Sequence, residues 1–525
     1  MSPRSAAWLA LVDETIASQK NPTFQASDCN WLSTAPLQDV VDVLTESQNR
    51  SELGDDSWDE YWQLIFERIA RRPTAITDER TQLVIKELAE IFLEKFSVNA
   101  PQRGCLLSWL ATFDAAPLLE IVAREMVGNP PATAQEATLT LSSLFRSKRT
   151  FPVDAIFPRL LQGLQTPVTA ALVLDLANFL MRHRRVDHHP AVASAELLQE
   201  ILSQVLSRLE ILEESPAIAH DLPKSQELAR SRMEQINEGI TLAISLCDAI
   251  AWIGDRTAIP KLARATELAH RRLRTEAASA LARLEDTRGI EILAELAAEP
   301  VVRLRALAYL RELGAEERAT SEFRTNEALA EAEIVVHLAE PTQFGLPPTQ
   351  CELLDQTTQF WPGYDNPIEC FLFHYTYRAG GSQFANVGIV GPLTRSVVTD
   401  LTDLPPPDIY AFYAGWQTEH EDIREVSATE AERAFPADLS KLRRRASENA
   451  LEVFQVSKLG LFFGDKVLVG EAKRNGLPGA AVVDETTATF YPYGGKRAPL
   501  GPSEVFDIYK GRRLLGTFNG PSELS

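Results

Sequence analysis

Between residues 182 and 189, three histidines and three arginines crowd into eight positions, as Arg182-His183-Arg184-Arg185-Val186-Asp187-His188-His189, and Pro190 follows. Imidazole is the commonest metal ligand and guanidinium pairs readily with carboxylate and phosphate, so Arg182, His183 and His188 are candidates for holding a metal or an anion. A simpler reading of the same residues is an exposed connection between two helices, stopped by the proline. A second candidate is the run of Tyr491, Tyr493, Gly494, Gly495, Lys496 and Arg497. Its aromatic and basic side chains could stack on a ligand or a peptide, with a plain hairpin end as the competing reading. Glu419-His420-Glu421-Asp422 offers carboxylate and imidazole, yet consecutive residues cannot all point at one metal. Asn386-Val387-Gly388-Ile389-Val390-Gly391-Pro392 has a G-x-x-G spacing, but strand-like residues on both sides and Pro392 deny it the helix N-terminus that a phosphate cradle needs. No Ser-His-Asp order or metal-ligand spacing stands out, so no catalytic residue, cofactor or metal is expected.

The chain carrying these groups has 525 residues, with 52 Lys and Arg against 73 Asp and Glu, a formal net charge of -21. Binding nucleic acid needs a basic surplus on at least one face, so nucleic acid is not an expected partner. Apolar residues at 45% and charged residues at 24% fit a soluble protein of more than one domain. The five cysteines, Cys29, Cys105, Cys247, Cys351 and Cys370, are odd in number and form no C-x-x-C pair, which reads as buried reduced thiols in the cytoplasm. The apolar run Ala6–Val12 is cut by Asp13 and Glu14 before a secretory core forms. Ala170–Met181 is broken by Asp175 and Asn178 and is too short for a bilayer, so neither export nor a membrane is expected.

Two regions must position these groups. Residues 341–525 hold 23 of the 41 aromatics and 18 of the 26 glycines, whereas residues 1–340 are rich in Leu, Ala, Glu and Arg and follow a helical period. Pro341–Pro348 stops the last helical pattern, which sets the expected boundary. Ser57-x-x-Glu60 has the spacing of a capping box, ahead of Trp58, Trp62, Ile65 and Ile69 on one helical face. Amphipathic segments follow at 77–92, 103–113, 116–127, 134–145, 153–164, 168–182 and 193–212, as two-helix units in series with no strand between them. This predicts an α-solenoid over 1–340 and an aromatic-rich α+β domain over 341–525.

A self-similarity sharpens the first half. Leu273–Asp286 aligns with Val302–Ala315 at an offset of 29 residues and with Leu242–Asp255 at 31 upstream, with apolar helices at 258–269 and 289–298 between the copies. These residues resemble the HEAT-repeat superfamily, specifically the short repeats associated with phycobilisome lyases, most clearly over 240–320. The resemblance implies stacked helix pairs whose concave surface binds another protein, and does not imply an enzyme. A tetrapyrrole-handling role of the lyase type stays open as an alternative. The di-iron hydroxylases of that superfamily carry His-Glu pairs on repeated helices, and here the one such pair, His420-Glu421, lies outside the repeats. Arg274 and Arg303 could grip an acidic partner. The structural alternative is a ladder in which the turn residues Asp255 and Asp286 cap the next helix and face the arginine of the next layer.

After Pro348 the period changes from 3.6 to 2. Strands are expected at 370–377, 384–390 and 395–401, and hairpins over 460–469, 480–491 and 505–518, the last turning at Lys510-Gly511. Between the two groups, Ser427-x-x-Glu430 and Pro436–Ala450 read as helical. The segments FWPGYDNP, ANVGIVGPL and DIYAFYAGW resemble carboxy-terminal regions appended to bacterial HEAT-like proteins, a resemblance that supplies no activity. The expected function is a non-catalytic scaffold or adaptor with another protein as partner. Its rival is an enzyme or small-ligand module in 341–525, with a pocket lined by Tyr375, Tyr377, Tyr410, Tyr413 and Trp416.

Overall fold

The computed structural model describes the chain except residues 1, 19–23, 25–26, 51–52, 54–57, 71–77, 147–149, 215–222, 380, 494–498 and 520–525. Ser57 of the expected capping box is among those outside the described residues, as are Lys496 and Arg497. The chain divides into two units, Met1–Ile292 and Leu293–Ser525.

The first unit is built from α1 (Pro3–Ala17), α2 (Leu37–Gln48), α3 (Asp59–Ile69), α4 (Glu79–Lys95), α5 (Pro101–Leu110), α6 (Ala116–Gly128), α7 (Ala134–Leu141), α8 (Val153–Leu160), α9 (Pro167–Arg182), α10 (Ala195–Glu214), α11 (Pro223–Ile253), α12 (Ile259–Ala265) and α13 (Arg271–Arg283), with α14 (Thr287–Leu296) running across the division. Proline stands in the first turn of α1, α5, α6 and α9, where its missing N–H leaves no intrahelical bond unmade. Asp78 and Thr133 cap α4 and α7 through side-chain oxygens. Packing skips one element at a time. α3 lies on α5, α5 on α7, α7 on α9, α9 on α11 and α11 on α13, while α2 lies on α4, α4 on α6 and α6 on α8. One continuous apolar core results, from Trp8 to Leu284. Arg230–Ile253 of α11 is long and apolar enough to cross a membrane by length and composition, and here it packs along α9, α10 and α13.

The second unit contains α15 (Pro300–Glu312), α16 (Asn326–Ala339), β1 (Gln350–Gln359), β2 (Ile368–Ala379), β3 (Ser382–Val390), β4 (Arg395–Ser396), α17 (Pro406–Gln417), β5 (Ile423–Ser427), α18 (Ala428–Ala434), α19 (Pro436–Glu448), β6 (Glu452–Phe462), β7 (Asp465–Arg474), β8 (Leu477–Val483), β9 (Ala488–Pro492) and α20 (Pro502–Asn519). Strands β1 to β4 form one antiparallel sheet in chain order and β5 to β9 a second. Inner strands of each sheet are buried on both faces. On β2, Phe371, Phe373 and Tyr375 turn toward Ile334, Val335 and Leu338 of α16, while Cys370 and Leu372 turn toward Tyr410 and Tyr413 of α17. On β8, Ala480 and Val482 join the core shared with α17 and α20, and Ala481 and Val483 join Leu439 and Leu442 of α19. The order is therefore helix, sheet, helix pair, sheet, helix pair, which explains strands with bulky residues at consecutive positions.

Several features differ from expectation. The division falls at 292 rather than 340, because α15 and α16 are packed together and α16 spends its apolar face on the first sheet. Residues 505–518 are not a hairpin. They lie in α20, where Val505, Phe506, Ile508 and Tyr509 form one buried stripe at helical spacing and Gly511 sits mid-helix against the backbone of Ala411. Strands β1 and β5 and helix α17 were not foreseen. All five cysteines carry free thiols, Cys29, Cys247 and Cys370 buried and Cys105 and Cys351 partly exposed.

Candidate functional site

The basic run of 182–189 leaves α9 through a helix C-terminal motif. His183 follows the last helical residue, Arg184 takes a left-handed φ of 53°, and the N–H groups of Arg184 and Arg185 donate to Met181 O and Leu180 O at 2.9 and 2.8 Å. That pattern satisfies the carbonyls a helix end leaves free. The structure then splits the three histidines. His189 is buried at 2% exposure, its Nδ1 accepting from Ala191 N at 3.2 Å and its Nε2 donating to Asn178 Oδ1 at 3.0 Å, while Asn178 Nδ2 donates to Ser245 O on α11. Burial holds the His189 pKa down at about 4, so the ring is neutral and acts as a clamp on the connection. His183 is exposed and packs its ring on Phe179, with centroids 4.4 Å apart. Arg182 is paired with Asp248 at 2.8 Å.

His188 and Arg185 are exposed, and they border an open groove of about 1370 Å³. Its other wall is α8 with the turn after it, contributing Val153, Phe157 and Leu161, and Leu197 of α10 closes it. Pro158 inside α8 and the 3-10 turn Leu161–Gly163 cut that wall short. Asp154 and Asp187 stand among the apolar lining. The groove therefore offers apolar area edged by charges of both signs, which is the equipment of a binding surface. Among the described residues no group of three or more His, Cys, Asp or Glu is placed to hold a metal.

Elsewhere the sequence candidates have structural work. Asp255 accepts from Thr257 N at 3.0 Å and Asp286 from Arg288 N at 3.1 Å, each at the start of a helical segment. The repeat arginines reach back to carbonyls at the end of the preceding helix, Arg274 to Thr266 O at 3.1 Å and Arg303 to Ala297 O at 2.9 Å, with Arg303 also on Glu331 at 2.6 Å. Arg103 does the same with Leu93 O at 2.6 Å and is buried against Glu125. An arginine early in one helix that caps the last turn of another is a recurring device here, and in sequence it shows only as a basic residue three or four positions into a helix.

In the second unit, Tyr491 is part-buried at the edge of the core and burial pushes its hydroxyl up to about 12, while Tyr493 N donates to Pro478 O at 2.9 Å. The tyrosines of the expected pocket are packing residues. Tyr413 and Tyr377 donate to Val387 O and Leu346 O at 2.8 and 3.0 Å, Tyr375 bonds Ser396, and Tyr410 is 4% exposed. Trp416 is half-exposed with Arg395 over its ring. Asn386, fully buried, donates to Val397 O and Thr399 O and accepts from Val387 N and Leu401 N, so the G-x-x-G segment is knotted to the chain after β4. His420 sits in the exposed turn before β5, with Nδ1 accepting from Asp422 N. No protein-family model matches this chain, and no curated protein matches it in sequence.

Proposed function

We propose that this protein is a non-catalytic scaffold whose helical unit is an α-solenoid of HEAT-like repeats and holds a segment of another protein in the groove beside α8. The single observation that carries this reading is the groove itself, with an apolar wall at Val153, Phe157 and Leu161 and basic side chains at Arg185 and His188 on the opposite rim. The skipping pattern of helix contacts supports the solenoid, since each layer of such an array buries its face only against the next. The partner segment suited to this site presents an apolar stripe flanked by acidic residues.

A photo-crosslinking amino acid placed at Leu161 in the full-length protein tests the reading. One protein should be captured there, absent when the same group is placed at Leu83, an exposed apolar residue on α4, and lost again when Arg185→Glu and His188→Glu are combined. Identical capture from both positions overturns the proposal.

A further inference from the structure

The first sheet of the second unit ends on a strand with one partner. β1 pairs with β2 alone, and over its ten residues exposed and half-buried positions alternate with none fully buried. Such an edge leaves alternate N–H and C=O groups facing outward, able to accept another strand. A bulge between Leu353 and Asp355 interrupts the ladder further along. The stretch before the bulge, Cys351–Leu353, borders a groove of about 660 Å³ whose other wall is the turn Ser321–Arg324 and the first turns of α16. Phe323 and Phe373 contribute apolar surface to its lining.

The charges of this groove are lopsided. Glu322, Glu327, Glu331 and Glu352 line it against Arg303. Arg303 is 3% exposed and already committed to Ala297 O, Ala298 O, Ala328 O and Glu331, with its guanidinium over the Phe323 ring. Glu322, Glu327 and Glu352 are exposed. The Cys351 thiol is pushed up to about 12, first by burial and then by the carboxylates of Glu331 and Glu352. A second copy of this chain suits the edge poorly. Antiparallel self-pairing centred on Glu352, in the stretch before the bulge, sets that carboxylate opposite its own copy, and directly opposed like charges destabilise a sheet.

We propose that this groove takes an extended, lysine- or arginine-bearing segment of a partner protein, which adds a strand to β1 and sets its cationic side chains, on the face that α16 covers, against Glu322 and Glu327. Backbone pairing supplies the affinity and the carboxylates supply the selection. The site lies in a different unit from the groove beside α8 and does not depend on it.

The test is fluorescence polarisation of the full-length protein with a short labelled peptide alternating lysine and valine, its glutamate-valine counterpart, and the lysine peptide methylated on alternate backbone nitrogens. The lysine peptide should bind and the glutamate peptide should not. Glu322→Lys combined with Glu327→Lys should weaken binding at least ~10-fold, and backbone methylation should weaken it by about as much. Arg185→Glu should leave the affinity unchanged. Equal binding of the two peptides, or a combined variant that binds the lysine peptide like the parent, overturns the proposal. Indifference to methylation overturns strand addition. Should the combined variant fail to fold, Glu322→Lys alone, at an exposed position, answers the same question.

Discussion

His189 carries its single proton on Nε2, because Nδ1 accepts from Ala191 N and Asn178, whose amide nitrogen is committed to Ser245 O, presents only its oxygen. A proton on Nδ1 would break that chain in a buried place. The ring therefore titrates at about 4 in the fold against an ordinary value near 6.5. The unfolded chain binds this proton over the window in which the folded chain refuses it. Stability is thus intact above about pH 6.5 and falls as pH drops toward about 4, by on the order of 3 kcal/mol if the full difference is expressed. Urea unfolding of the parent and of His189→Gln across that window should show the variant with a lower plateau and a shallower fall; parallel curves would exclude His189 as the source. The sequence drew attention to His183 and His188 instead. Burial of one histidine among three neighbours is decided by where a loop turns, and adjacent imidazoles look alike in sequence.

The α17 and α20 pair shows how an element can be misread by its punctuation. Gly511 follows Lys510 between two apolar runs, which in sequence is a hairpin turn. In the fold the two helices cross so closely that a Cβ on Gly511 overlaps the carbonyl of Ala411, and one on Gly415 overlaps that of Asp507. Asp408 of α17 and Arg512 of α20 then pair through both oxygens at 2.8 and 2.7 Å. Gly511→Ala should destabilise the second unit by about 2–4 kcal/mol despite its better helix propensity, as read from a thermal melt. A neutral or stabilising result would mean that the helices can separate at small cost. The helical pattern of 103–212, the helices of the repeat copies at 242–255 and 273–286 and the strands β2, β3 and β6 to β9 were legible, because amphipathic period and β-branched runs are local signals. β1 was not, since QCELLDQTTQ is polar and lies at an edge. Nor was the groove beside α8, whose walls come from segments about thirty residues apart.

At the scale of the molecule, the third repeat copy, Val302–Ala315 in α15, belongs with the sheets rather than with the other two copies. A helix that resembles a repeat can be recruited as a cover, since what it needs is an apolar face to bury. A fragment of residues 293–525 should therefore melt cooperatively. A fragment starting at residue 341 leaves Phe371, Phe373, Tyr375 and Val390 without α16 and should aggregate or bind a hydrophobic dye; equal behaviour of the two fragments would place the boundary back at 340. The layer order has one more consequence, for synthesis. α20 shares the space between the two sheets with α17 and follows every strand of both sheets along the chain. Until it arrives, Val467, Val469, Ala480 and Val482 have an open face, so the second unit cannot complete its core before α20 is free of the exit tunnel. A nascent chain stopped short of Pro502 would stay recognisable to chaperones and proteases as unfinished.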